Sequence, residues 1–188
     1  LIKKASEYGQ PSRVFHFTTG VEEGNEIAFK VGVAGASPEN PVEFLVNFGD
    51  GTKETFTATS ETAPATANVV GTRKGWGSIE VYAPEGVELT ALDVRDISMY
   101  SADVTKLRSL RTLDIINVGL YTIDLTWNRC LTSLNLSGNN LSVATLEGVN
   151  AGYGKNVLTD VNLSNNQLSS ITLHDLTILR NLDLSHNK

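Results

Sequence analysis

A chain of 188 residues that is 40% hydrophobic and 19% charged has the balanced composition of a folded protein, with enough apolar material for real cores. The net charge of -6 and the scattering of single basic residues argue against nucleic acid as a partner, because no basic stripe is present to neutralise phosphates. The single cysteine, Cys130, cannot form an internal disulfide, and no apolar run reaches the roughly 20 residues that a membrane span requires.

Residues 1–85 have the pattern of a small antiparallel β-sandwich. Short segments rich in Val, Phe and Thr are separated by Gly, Pro and Asn, which is typical of strands joined by turns. The sequence predicts strands within residues 13–19, 26–35, 42–48, 53–59 and 77–84. Between the third and fourth of these, GDG interrupts the alternation, so we expect Asp50 and Gly51 to form a hairpin turn with positive backbone angles.

The segment FGDGT, residues 48–52, resembles the strand end of PKD-type immunoglobulin-like modules, which occur in exported bacterial proteins. This resemblance implies an immunoglobulin-like sandwich for residues 1–85. Asp50 by itself does not indicate a calcium loop, because the spaced carboxylates that such a loop requires are missing from the sequence around it.

From residue 89 onward, one apolar pattern recurs five times. The best-preserved copy reads LTSLNLSGNNL, residues 131–141, and successive copies start 21, 21, 27 and 21 residues apart. These steps fall in the range of about 20 to 29 residues that is typical of leucine-rich repeats. The copies begin at Leu89, Leu110, Leu131, Leu158 and Leu179.

The pattern resembles the leucine-rich-repeat family, which implies that residues 86–188 form a short solenoid in which each copy adds one parallel strand. The family stacks asparagines whose amides bind backbone groups as the chain leaves the strand, and Asn139, Asn166 and Asn187 occupy that position. The six extra residues of the longer step lie within residues 147–156, which we expect to form an exposed loop with Tyr153 as a candidate contact.

The candidate ligand-binding face is the concave face of the predicted solenoid. It is formed by the side chains of the parallel strands that point away from the core, and equivalent residues lie about 4.8 Å apart. Short polar side chains there predict a mildly acidic groove for a glycan, a peptide or protein, or a cation. The alternative is a solvated sheet face, because aromatic and arginine anchors are nearly absent and Tyr121 and Trp127 are expected on the convex side or the rim. The candidate residues are Asp93, Arg95, Asp114, Ile116, Asn135, Asp160, Asn162 and Asp183.

The remaining expectations concern the cysteine, the histidines, catalytic and metal motifs, and the junction between the two predicted modules. Cys130 is expected to be a small buried packing residue, and the three histidines lie on unrelated elements, with His186 in an exposed turn. No nucleophile, metal or phosphate motif is present in the sequence, so we expect no cofactor and no enzymatic activity. The segment WGSIEV, residues 76–81, is expected to lie beside the first repeat strand and cover the edge of its sheet.

The combination of modules resembles bacterial cell-surface proteins of the internalin-like or adhesin-like kind. It implies an exported, non-catalytic binding protein, extracellular or lipid-anchored at the cell surface. Because Leu1 is not an initiator methionine, the lack of a visible signal peptide does not count against export. Two alternatives stay open. The modules could be accessory parts of a larger surface glycan-processing enzyme, with catalysis elsewhere or at the acidic residues of the candidate face. The chain could instead be a structural spacer that self-associates through its open sheet edge.

Overall fold

The protein is mainly β. A computed structural model describes residues 10–62, 67–146, 149, 157–173 and 176–188, and these contain fourteen strands in three sheets. In the same residues no helix has the length and apolarity needed to cross a membrane. The strands are β1 (Ser12–Thr19), β2 (Glu26–Val33), β3 (Val42–Asn47), β4 (Glu54–Ala58), β5 (Ala67–Thr72), β6 (Ile79–Ala83), β7 (Leu89–Arg95), β8 (Met99–Asp103), β9 (Thr112–Ile116), β10 (Ser133–Asn135), β11 (Val143–Thr145), β12 (Asp160–Asn162), β13 (Ser170–Thr172) and β14 (Asn181–Asp183).

The first sheet is antiparallel and has the strand order β4-β3-β6-β1-β8. The predicted hairpin between β3 and β4 is confirmed, with Val46 opposite Glu54, but Asp50 does not have the positive backbone angle that was expected of it. The positive backbone angles of the hairpin belong to Gly49 (φ 109°) and Gly51 (φ 88°), and the side-chain oxygen of Asn47 accepts both of their N–H groups at 2.9 and 3.0 Å. Glycine is suited to these positions because it lacks a Cβ.

The second sheet has the order β14-β12-β10-β9-β7-β2-β5. Its first five strands are parallel and each comes from one copy of the repeat, whereas β2 and β5 are antiparallel additions from the N-terminal part of the chain. The expectation that residues 76–81 lie beside the first repeat strand is wrong: β6 pairs with β1 and β3, and β2 covers the edge of β7.

The two large sheets share one hydrophobic core. The ring of Phe17 on β1 meets the ring of Phe29 on β2 edge-on, with centroids 5.9 Å apart. The backbone of Gly71, on β5, packs directly against the ring of Phe48, which follows β3 of the first sheet. A Cβ at Gly71 would lie 2.3 Å from that ring. This face-to-face packing is compatible with a β-sandwich, and the same core continues through the repeats to Leu168.

Strands from both sides of residue 85 enter each large sheet. Strand β8, from the first copy of the repeat, pairs with β1 of the N-terminal segment, while β2 pairs with β7. The hydrogen bonds of both sheets therefore cross the sequence boundary between the two predicted modules. On the other side of the repeats, β11 and β13 form a short parallel pair of their own.

Every copy of the repeat turns through the same backbone conformation after its strand. The eighth residue of each copy has a positive φ of 55° to 69°, in the left-handed region that Gly, Asn, Asp and His tolerate best. One residue later, in three copies, an asparagine completes the turn with its side chain. The left-handed residues are Asp96, Asn117, Gly138, Asn165 and His186.

The asparagines Asn139, Asn166 and Asn187 tie each copy to the one before it. The Asn139 amide donates to the carbonyls of Ile115 (2.7 Å) and Leu136 (2.9 Å), while its oxygen accepts the N–H of Leu120 (3.1 Å). The other two asparagines make the equivalent bonds in the following turns. These amides satisfy backbone groups that the turn leaves without partners in the sheet.

Candidate functional site

A single line of side chains crosses the whole seven-stranded sheet on one face; we call it the outer column. The registers of neighbouring strands place its members directly opposite one another from one edge strand to the other. Five of these seven residues stand at the repeat position that the sequence singled out. The outer column consists of Asn68, Lys30, Asp93, Asp114, Asn135, Asn162 and Asp183.

Four strands of the repeats form an open groove of about 600 Å³ along this column. It contains five of the eight residues that the sequence predicted for the ligand-binding face, and it leaves Asp93, Arg95 and Ile116 outside. Three polar side chains that the prediction did not include, Ser133, Arg180 and Asn181, line it as well. The predicted residues in the groove are Asp114, Asn135, Asp160, Asn162 and Asp183.

Local hydrogen bonds hold the side chains of the groove in place. The Oδ1 atoms of Asn135, Asn162 and Asp183 each accept the backbone N–H two residues further on, at 2.9 to 3.0 Å. These bonds end the strands in Asx turns, which accounts for Asn and Asp at this position without any ligand. They also fix the side-chain rotamers, so a ligand would meet a surface that is already ordered.

Asp160 lines the groove on β12, two residues before Asn162 of the outer column, and both of its carboxylate oxygens accept hydrogen bonds. One carboxylate oxygen accepts the amide of Asn181 and the other accepts the hydroxyl of Thr159, both at 2.5 Å. The hydroxyl bond is the main reason that the pKa of Asp160 lies below its ordinary value, with a further contribution from Asn181. Asp160 therefore stays ionised and gives this part of the groove a fixed negative charge.

At the other end of the groove, Arg95 joins two carboxylates of the outer column. Its Nε lies 2.6 Å from Asp93 and its Nη2 lies 2.8 Å from Asp114. Asp93 is only 3% exposed, beneath this arginine, and its Oδ2 atom is buried without a hydrogen-bond partner among the described residues. Most of the Asp93 side chain is therefore withdrawn from the surface, although the residue still lines a hollow next to Lys30 and Arg95.

Burial raises the pKa of Asp114 above its ordinary value of 3.8. The charge of Asp93 raises it further, and the guanidinium of Arg95 opposes both effects. Asp114 is thus the carboxyl group in the groove that gives up its proton least readily. Beside the same cluster, Lys30 and Arg95 line a smaller hollow of about 150 Å³ that extends toward β5.

The groove is acidic and rich in hydrogen-bonding atoms. The carboxylates of Asp114, Asp160 and Asp183 face a single lining cation, Arg180. No group of three or more His, Cys, Asp or Glu residues suited to holding a metal ion is present in the described part of the chain. The arrangement can therefore bind hydroxyl, amide or ammonium donors through its oxygens.

The remaining candidates lie elsewhere. Tyr153 and His174 fall outside the described residues. Cys130 is exposed, so its predicted role in buried packing is wrong. Tyr121 is exposed, and Trp127, which is 44% exposed, contacts two arginine side chains. Lys30 was missed by the sequence prediction. Its position on β2 is visible in the sequence, but its pairing with Asp93 on β7 is not.

No protein-family model matches this sequence, and no curated protein and no solved structure matches it either.

Proposed function

We propose that this protein is a non-catalytic, exported bacterial binding protein, in which a PKD-like sandwich carries a short leucine-rich-repeat solenoid. Its partner is a protein or glycan at the cell surface, and the groove on the outer face of the repeats receives it. The assignment of both modules rests on the resemblance of their sequence motifs. The parallel strands at repeat spacing and the asparagines between them support the solenoid.

The observation that carries the proposal is the groove of about 600 Å³. This volume lies within the roughly 300 to 1,000 Å³ that is usual for ligand sites. Short side chains leave the space open, and the Asx bonds of Asn135, Asn162 and Asp183 order its wall before a ligand arrives. An ordered wall lowers the entropic cost of binding.

The chemistry of the wall favours a ligand with many hydrogen-bond donors. Both carboxylate and amide oxygens line the groove, and the negative charges outnumber the single Arg180. Sugar hydroxyls and basic peptide side chains both supply such donors. Acidic glycans and acidic peptides are disfavoured here, because like charges in a groove repel the ligand.

A glycan array and a pull-down from host-cell surface proteins test this function directly. Ser133 lines the groove on β10, between Thr112 and Asp160 in the register of the sheet, so Ser133→Trp fills part of the space. Ser170→Trp on β13 is the matched control, because it adds the same side chain at an exposed position of a different sheet. We expect at least tenfold weaker binding for Ser133→Trp and unchanged binding for the control. Equal binding by both variants, or no ligand for the parent protein, would contradict the proposal.

One observation favours an alternative in which these modules serve a glycan-processing enzyme. A carboxyl group with a raised pKa in a groove is a candidate general acid, and Asp114 has this property. Hydrolysis of a glycan by the isolated chain, abolished in Asp114→Asn, would establish that role. Activity that survives the substitution, or no activity in the parent protein, would leave Asp114 as a structural partner of Arg95.

A further inference from the structure

A second charged feature lies away from the groove, on the turns that precede the parallel strands. Trp127 is 44% exposed, and its ring contacts the guanidinium groups of Arg108 and Arg129, whose carbons lie 5.1 and 5.2 Å from the ring centroid. We call these three residues the Arg–Trp cluster. None of them lines the groove.

The repeat itself brings the two arginines together. Arg108 and Arg129 are 21 residues apart and occupy the same position in consecutive copies, in the turns that precede strands β9 and β10. Both guanidinium groups lie over the same indole ring, and like charges brought close together repel each other. The electron-rich face of Trp127 compensates part of this repulsion.

Within the described residues, no salt bridge compensates it. The salt bridges found there do not include Arg108 or Arg129, and neither side chain donates a hydrogen bond to another residue in that set. The Nε of Arg129 is buried and has no acceptor. Two cations without a salt-bridge partner among the described residues and an exposed indole thus lie on a protein whose net charge is -6.

We infer that the Arg–Trp cluster binds a carboxylate-bearing sugar of an acidic glycan, with the two guanidinium groups on the carboxylate and the exposed indole against the sugar ring. Guanidinium and carboxylate form charge-assisted, bidentate hydrogen bonds, and stacking on Trp127 holds both donors in place beforehand. Trp and Arg are also the residue types that most often dominate binding energy, and the groove contains no Trp and only one Arg, Arg180.

The size of the cluster favours a sugar over an acidic protein. A stable protein interface covers about 800 Å² on each partner around an apolar centre. The neighbours of the cluster on the same turns, Ser109 and Thr126, are polar. One ring with two cations matches a single sugar ring with one carboxylate.

Fluorescence titration with a galacturonic acid hexamer tests this inference. Trp76 is 86% exposed, so Trp76→Phe removes the other indole without disturbing the core and leaves Trp127 as the reporter. The comparison ligands are the methyl-esterified hexamer, which keeps the sugar chain but loses its charge, and a hexaglutamate peptide, which keeps the charge but has no sugar.

Two arginine variants are compared with a matched cation variant. Arg108→Gln and Arg129→Gln each remove one guanidinium of the cluster. Lys53→Gln removes a cation from a different aromatic contact, in which Nζ lies 3.9 Å from the centroid of the Tyr82 ring. Circular dichroism shows which variants are folded, and the Arg129 Nε–H resonance of the parent protein gives a second readout that needs no substitution.

We expect the charged hexamer to change Trp127 emission and to shift the Arg129 Nε–H resonance. Binding should weaken at least tenfold in either arginine variant, stay unchanged in Lys53→Gln, and fall as salt rises. The inference is overturned if the esterified hexamer binds equally well, if hexaglutamate binds as tightly as the sugar, or if no ligand moves either signal. Since the groove contains none of these residues, such a result leaves the proposed function intact.

Discussion

Replacing Asn139 by alanine tests how the repeats are held together. Asn139 is 4% exposed, and its amide joins the turn after β10 to the turn after β9. Alanine keeps the backbone conformation but removes all of the side-chain bonds. Because the surrounding groups are buried, water cannot replace the lost partners.

The expected loss follows from the groups that remain unpaired. The N–H of Leu120 and the carbonyl of Ile115 lose the Asn139 side chain as a partner, whereas the carbonyl of Leu136 keeps a bond of 2.9 Å from Asn166. A buried polar group without a partner costs about 1–3 kcal/mol. Two such groups predict that Asn139→Ala lowers the free energy of unfolding by about 2–6 kcal/mol, a large part of the 5–15 kcal/mol that is usual for a domain.

Equilibrium unfolding in urea measures this loss, and the neighbouring residue provides the control. Asn140 makes one side-chain bond, to the carbonyl of Gly119 at 3.2 Å, and it is partly exposed. We expect Asn140→Ala to cost about 1 kcal/mol or less. If the two variants lose the same free energy, the bonds of Asn139 do not stabilise the repeats and the reasoning is refuted.

Three further predictions follow from the same structure. Burial, and then the charge of Asp93, raise the pKa of Asp114, so its ionised form is disfavoured in the folded state. The free energy of unfolding of Asp114→Asn should therefore match that of the parent protein below pH 3.8 and exceed it increasingly as the pH rises. A difference that stays constant across the pH range would contradict this prediction. Gly71→Ala would place a Cβ 2.3 Å from the ring of Phe48, so its melting temperature should fall by an amount equivalent to about 1–3 kcal/mol, and an unchanged melting temperature would show that the ring moves freely. Limited proteolysis should not cut cleanly within residues 84–88, because strands from both sides of that segment share two sheets; two stable fragments would show that the modules are independent.

Local sequence patterns predicted the strands whose formation depends on their own residues. The 21-residue period identified the apolar positions of β7, β9, β10, β12 and β14, and GDG identified the hairpin between β3 and β4. The short strand β11 was missed, and so were β5 and β8. The sequences of β5 and β8, ANVVGT and MYSAD, carry little apolar alternation, and each lies at the edge of a sheet, where a distant partner strand determines whether it forms.

Pairing between distant segments also explains the errors. Both β2 and β6 have the alternation of a strand that could cover the edge of β7, and nothing local distinguishes them. The choice depends on the core, where Phe29 of β2 meets Phe17 from the opposite sheet. The outer column could be predicted within the repeats because a parallel register follows from the period, but its extension to Lys30 follows only from the antiparallel register with β7.

The burial of Asp93 was not predictable from its repeat position, which elsewhere lines an open groove. In the first copy, the neighbouring strand comes from the sandwich, and the side chain of Arg95 lies over the carboxylate. The contact of Trp127 with Arg108 and Arg129 had a visible signal, since the two arginines are 21 residues apart. The exposed position of the tryptophan between them required the structure.

The side-chain amide resonances of asparagine test the central claim most directly, because the repeats place asparagines in two different roles. Asn135 and Asn162 line the groove, whereas Asn139 and Asn166 are buried in the turns behind it. When the glycan or protein found in the binding screen is added, the amide signals of Asn135 and Asn162 should shift, and those of Asn139 and Asn166 should stay in place. Shifts confined to other parts of the molecule would contradict the assignment of this groove as the binding site.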